Sequence, residues 1–212
     1  MTGHLIDLAV NSFVTFFVVI DPVGLIGIFN GLAAGMPTAE RRRLAIRGSA
    51  IGTSVLVAFA LGGERLLSAL GISLPAFRAA GGAMLFLIAI EMMFKSRVGR
   101  RSETAQNAAD EPPEDLAISP LGIPLIAGPG AITSALLLMS RYRGSFLEEG
   151  IVLAAMVAVL AITLATFLAA ERLARFVGPT IAEIAARLLG ILLAAVAVEY
   201  MVVGIRQIWD AG

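Results

Sequence analysis

Six long apolar stretches constrain this sequence more than any other feature. They run at about Leu5–Ala34, Leu44–Leu61, Pro75–Phe94, Leu116–Ser140, Ile151–Ala170 and Ile181–Ile208. A helix that crosses a bilayer needs about 20 mainly apolar residues, and each stretch supplies roughly that number. Barrel strands would instead alternate apolar and polar positions over about ten residues. The stretches therefore predict an all-α, polytopic membrane protein with six transmembrane helices. Composition agrees: 58% of residues are apolar and 15% charged, with mean hydropathy +0.89, whereas a soluble domain carries about 25% charged residues. Six spans use most of the 212 residues and leave no room for a separate soluble domain. Sixteen basic and sixteen acidic residues cancel, so no electrostatic case exists for nucleic acid. The chain has no cysteine, and its one histidine, His4, lies near the start. No metal site and no cofactor are expected from such a set.

Basic residues set the orientation, because Lys and Arg resist translocation. No Lys or Arg precedes Arg41, so the first apolar run lacks the positive region of a cleavable signal and reads as a retained span. With six spans, one side receives Arg41, Arg42, Arg43, Arg47, Lys95, Arg97, Arg100, Arg101, Arg172, Arg175 and Arg187. The other receives Arg65, Arg78, Arg141, Arg143 and Arg206. The richer side is expected to be cytoplasmic, with both termini on the opposite face. The polar stretch 96–115, which contains Pro112 and Pro113, reads as a cytoplasmic linker with solvated charges.

The chain also matches itself. A register shift of 107 places Leu61–Gly71 on Leu168–Gly178, with five of eleven positions identical, Glu64 and Arg65 falling on Glu171 and Arg172. The same shift carries Pro22 onto Pro129. One residue more carries Gly82, Ala89, Glu91 and Met93 onto Gly190, Ala197, Glu199 and Met201. Two three-helix units are expected, residues 1–95 and 116–212. An odd number of spans per unit inserts the second copy upside down, giving an inverted-topology repeat.

Such folds bind cargo near the membrane midplane, where interrupted helices meet. Helix breakers stand at matched places: Asp21 and Pro22 in the first stretch, and Gly128, Pro129 and Gly130 in the fourth. Helices 1 and 4 are therefore expected to be broken at mid-membrane. Proline lacks the N–H of an interior helical bond and suits the first position of a new helix. Asp21 then falls at an N-cap, and Gly24 permits close approach of backbone or ligand. In the fourth span the glycines leave a half-helix N-terminus bare, with amides and about half a positive charge facing an anionic group. Thr133 and Ser134 add hydroxyls one turn on, and Asn11, Ser12, Thr15 and Asn30 are polar neighbours of the first break. One acid and one set of bare amides suit a zwitterion, its ammonium at Asp21 and its carboxylate at Gly128–Gly130. Two readings of each break stay open at this stage. Asp21 is either a structural cap or a ligand for cargo, and the Gly-Pro-Gly element is either a packing kink or an anion site. Glu91 stands four residues before Lys95, which suits a surface ion pair, while Glu199 lacks such a partner. Both are ion-coupling candidates for protons or sodium. Glu64 and Glu171 fall at span ends and read as interfacial.

With Ile20–Leu32 (IDPVGLIGIFNGL) and Pro124–Ser134 (PLIAGPGAITS) in view, the chain resembles the MarC family of six-helix bacterial inner-membrane proteins. The likeness extends over nearly the whole chain, although Gly27 stands where the family usually places a second proline. It implies a SnatA-like transporter of small neutral amino acids such as glycine, alanine or serine, related to the LysE-type exporters. Alternating access driven by an ion gradient is the leading expectation. A permease for another small solute or ion, or a non-transporting scaffold, are the alternatives. An intramembrane enzyme would need a nucleophile and base within reach, and no His, Cys or Lys lies in any span. Oligomeric state is not legible.

Overall fold

A computed structural model describes residues 2–94, 113–176 and 179–210. These residues form helices only: α1 (Thr2–Ile20), α2 (Pro22–Leu32), α3 (Thr38–Ala69), α4 (Leu74–Met93), α5 (Pro113–Leu116), α6 (Ala117–Ile126), α7 (Pro129–Arg141), α8 (Phe146–Leu168), α9 (Ala170–Phe176) and α10 (Pro179–Asp210). Five segments are long and apolar enough to cross a bilayer: Gly3–Leu32, which joins α1 and α2, then α3, α4, α8, and Glu183–Asp210 within α10. The bent pair α6 and α7, whose axes differ by 54°, is apolar enough to make a sixth when the two are taken as one broken span. Five of the six expected spans are thus present as candidate crossings, and the bent pair stands where the other is expected; α3 begins well before its apolar run, at Thr38. The linker from residue 96 and the proposed partner Lys95 fall almost wholly outside the described residues.

The broken spans occupy the centre. In Gly3–Leu32, 67% of the most apolar window is buried, against 28% in α4 and in α10. The outer helices show lipid-type faces instead, with Leu87, Leu188, Ile191, Leu192, Val202 and Ile205 exposed. Their grip on one another cannot come from the hydrophobic effect, since lipid tails are as apolar as leucine, so close packing of small residues supplies it. Along the α4–α10 seam, a β-carbon at Gly204 would lie 2.6 Å from Ala79 N, and one at Gly82 2.7 Å from Met201 N. Gly48, Gly52 and Gly63 make the corresponding seam of α3, receiving Leu121, Ile126 and Leu136.

Packing runs across the halves. The first span lies against α8, the fourth against α3, and α4 against α10. Polar contacts at the ends fix which turns share a side. His4 lies 3.5 Å from Glu148, and Arg78 Nη1 donates to Gln207 Oε1 at 2.9 Å. The start of the chain therefore lies beside the α7–α8 turn, and the start of α4 beside the end of α10.

Candidate functional site

The first break forms because Pro22 cannot donate to the turn before it. Asp21 closes one helix and opens the next: its N–H donates to Phe17 O at 2.9 Å, and its carbonyl accepts from Leu25 N at 3.1 Å. It does so with a left-handed backbone, φ 58° and ψ 63°, which Asp tolerates better than most residues. Its Oδ1 accepts from Gly24 N at 3.0 Å, the expected N-cap. Gly24 is required there, because a β-carbon would run into the Asp21 carboxylate. Asp21 is 5% exposed, so this carboxylate lies inside the bundle.

The second break has a different chemistry. Gly128 is extended, with φ −78° and ψ 167°, Pro129 is the first residue of α7, and no side chain caps that helix. Pro129 has no N–H, so the first amides of the half-helix are those of the buried Gly130 and Ala131. A β-carbon at Gly128 would lie 2.7 Å from the Pro124 carbonyl oxygen. At Gly130 it would lie 2.7 Å from Ile88 Cδ1 and 3.0 Å from Val19 Cγ1. Val19 is two residues before Asp21, so the breaks lie side by side. Thr133 packs its methyl against Gly81. Ser134, one turn from Gly130 and on the same helix face, is fully buried, and its Oγ has no hydrogen-bond partner. Ser12 of α1 is in the same condition.

The structure therefore brings Asp21, Pro22, Gly24, Gly128, Pro129, Gly130, Thr133 and Ser134 to two neighbouring breaks, and leaves three other candidates elsewhere. Asn11 is exposed on α1, where its Oδ1 accepts a long 3.5 Å bond from Thr15 Oγ1. At 1.5 Å per residue it is about 15 Å along the helix from Asp21. Glu199 is exposed, two residues from both Ala197 and Met201, so it turns away from the seam those residues make. Glu91 is half-buried and has a polar partner of its own. Among the described residues, no group of three or more His, Cys, Asp or Glu side chains converges as a metal site would.

Several structural features were not read from the sequence. Ser119 and Ile123 in α6 are extended, each before a cis proline, Pro120 and Pro124. Two prolines four apart inside an apolar run were the available signal. Arg41, expected only as a loop charge, ties three elements together. Its Nη1 donates to Ala33 O at 3.1 Å, its Nη2 to Asn30 Oδ1 at 2.7 Å, and its Nε lies 3.3 Å from Glu171. Asn30 Nδ2 in turn donates to Ala170 O at 3.2 Å, and Phe29 stacks on Phe167 with centroids 4.7 Å apart.

Two broken spans enclosed by apolar-faced helices define a multi-pass helical membrane protein. The chain belongs to the MarC family of integral membrane proteins, whose family model matches residues 6–209. It is 35% identical over 198 residues to a UPF0056 membrane protein of Methanocaldococcus jannaschii, covering 92% of this chain and 94% of the relative. It is 30% identical over 202 residues to the UPF0056 membrane protein YvbG of Bacillus subtilis, covering 93% of each. No solved structure matches the chain.

Proposed function

We propose that this protein is an inner-membrane secondary transporter of small neutral amino acids, working by alternating access between two inverted three-helix repeats. The observation that carries the reading is the pairing of unlike breaks. A buried carboxylate at Asp21 stands beside an uncapped half-helix N-terminus at Gly130 and Ala131, with the unpartnered Ser134 hydroxyl one turn on. An ammonium is favoured at the first and a carboxylate at the second. A buried hydroxyl without a partner costs about 1–3 kcal/mol, which a polar cargo can recover.

The inverted repeat draws support from the α4–α10 seam. A β-carbon at Gly82 meets Met201 Cγ and Ala197 O, and one at Gly190 meets Met93 Cγ and Ala89 O. The shift of 108 that carries Gly82 onto Gly190 also carries Met93 onto Met201 and Ala89 onto Ala197. Such reciprocal contacts arise between antiparallel helices related by a two-fold axis perpendicular to them, the axis of an inverted repeat. In this reading the termini face away from the cytoplasm, protons or sodium supply the drive, and no chemistry is performed on the cargo.

Counterflow of labelled glycine, alanine and serine into proteoliposomes, with and without proton and sodium gradients, tests the function. Exchange of at least one is expected, and exchange of none refutes the cargo. Side-specific labelling of A105C and G212C tests the orientation, since the native chain has no competing thiol.

A further inference from the structure

Two ion pairs join the halves at opposite ends of the bundle. At one end Arg41 Nε lies 3.3 Å from Glu171 Oε1, and at the other Arg143 Nη1 contacts Glu64 Oε2. The two acids are equivalent under the shift of 107. Each arginine comes from just beyond the broken span of the opposite half. Each pair also borders a cavity. The cavity at Arg41 holds about 590 Å³ and is lined by Thr38, Arg42, Phe167, Leu168, Glu171 and Arg172 besides. The one at Arg143 holds about 90 Å³, with Ala60, Leu61, Glu64, Ser140 and Glu149 among its walls. The same shift carries Ala60, Leu61 and Glu64 onto Phe167, Leu168 and Glu171, and Arg42 onto Glu149. Equivalent residues of the two halves thus line two cavities of unequal volume, about 590 and 90 Å³.

We infer that these cavities are the two access vestibules of the transporter, and that Glu64–Arg143 and Glu171–Arg41 are its paired gate latches. The inference rests on the alternating-access reading. Both latches are made in this structure, and the vestibule at Arg41 is the larger of the two. Exchange of the two vestibule shapes between the halves is what an inverted repeat permits at little cost, because each half can adopt the other's conformation. The latches bias that exchange. Glu64 and Arg143 remain 40% and 52% exposed, so their attraction is partly screened, and removing it shifts the populations only about twofold to fivefold. The walls also differ in sign: Arg41, Arg42 and Arg172 outweigh Glu171 in the larger vestibule, whereas Glu64 and Glu149 outweigh Arg143 in the smaller.

Single-cysteine reporters test the latches, the native chain being free of cysteine. Ala165 also lines the larger vestibule, so A165C reports on it and S140C on the smaller, each labelled with an impermeant thiol reagent in permeabilised membranes. E64Q is expected to raise S140C labelling about twofold to fivefold and to lower that of A165C. The charge swap E64R with R143E should return both rates, and E171Q should move them the opposite way. Rates that rise together, as in a loosened fold, or that do not move, overturn the inference. Reciprocal labelling without exchange of glycine, alanine or serine keeps the latches and removes the proposed cargo. Exchange without reciprocity removes the latches alone.

Discussion

Asp21 has two duties that substitution can separate. Its backbone is left-handed, at φ 58°, and its carboxylate caps α2 through Gly24 N. Asp21→Ala loses the cap, at about 1 kcal/mol, and forces a β-carbon without local hydrogen bonds into the left-handed region, at about 1–2 kcal/mol. The sum is about 2–3 kcal/mol. Asp21→Gly loses the same cap bond but relieves the backbone, so its net cost is only a few tenths. Asp21→Asn keeps a capping oxygen and a side chain that tolerates this backbone, and should fold within about 0.5 kcal/mol of the parent. Denaturation of the purified protein in mixed detergent should therefore rank Asn and Gly near the parent and Ala well below. Counterflow separates the second duty: if the charge holds an ammonium, Asn and Gly lose exchange while remaining folded. An Ala variant as stable as Asn refutes the backbone argument. A folded Asn variant with parental exchange refutes the role of the charge and leaves Asp21 a cap.

The seam glycines should rank by what their β-carbons meet. Gly82→Ala and Gly204→Ala press on backbone atoms at 2.6–2.8 Å and should each cost about 1–3 kcal/mol in detergent unfolding. Gly190→Ala, whose nearest contact is 3.0 Å, should cost less. Ser134→Ala removes a buried hydroxyl that has no partner, so stability should hold or rise while the apparent KM for cargo increases. Unchanged KM would take Ser134 out of the site. Arg41→Ala removes two charge-assisted bonds to Ala33 and Asn30 and should cost about 2 kcal/mol of stability. Arg41→Lys should recover only part of it, because an ammonium cannot make the same fork.

What the sequence disclosed follows from the kind of signal each feature leaves. Span positions were legible because every residue of a crossing helix must be compatible with lipid, and the breaks because proline and glycine act locally on the backbone. Asp21 as a cap was legible for the same reason. Facing was not. α10 is apolar all round and has no moment to orient it, so Glu199 gave no sign that it would lie exposed. The helical start of α3 at Thr38 was hidden by its arginines, of which Arg41 is held in place by Asn30, Ala33 and Glu171. Glu64 and Glu171 were read beside their own neighbours Arg65 and Arg172, whereas packing pairs them across the halves. Contacts between distant segments leave no local pattern to read.

Symmetry and its failure fall in different places, and that division bears on how cargo is recognised. The α4–α10 seam repeats under the register shift, and so do the two acids of the end latches, Glu64 and Glu171, whereas their arginine partners do not. The breaks share their proline but not their polar group, since Pro22 corresponds to Pro129 whereas Asp21 corresponds to Gly128. Packing enforces this difference. A β-carbon at Gly128 would stand 2.7 Å from the carbonyl oxygen of Pro124, a backbone atom that cannot swing aside as a side chain does. An acid at that position would have to displace the turn that holds the break together. The second break is thus kept free of a side-chain cap, and its buried amides at Gly130 and Ala131 are left to find an acceptor elsewhere. A pair of breaks built this way cannot present the same group twice, and a ligand that bridges them must carry a donor at one end and an acceptor at the other.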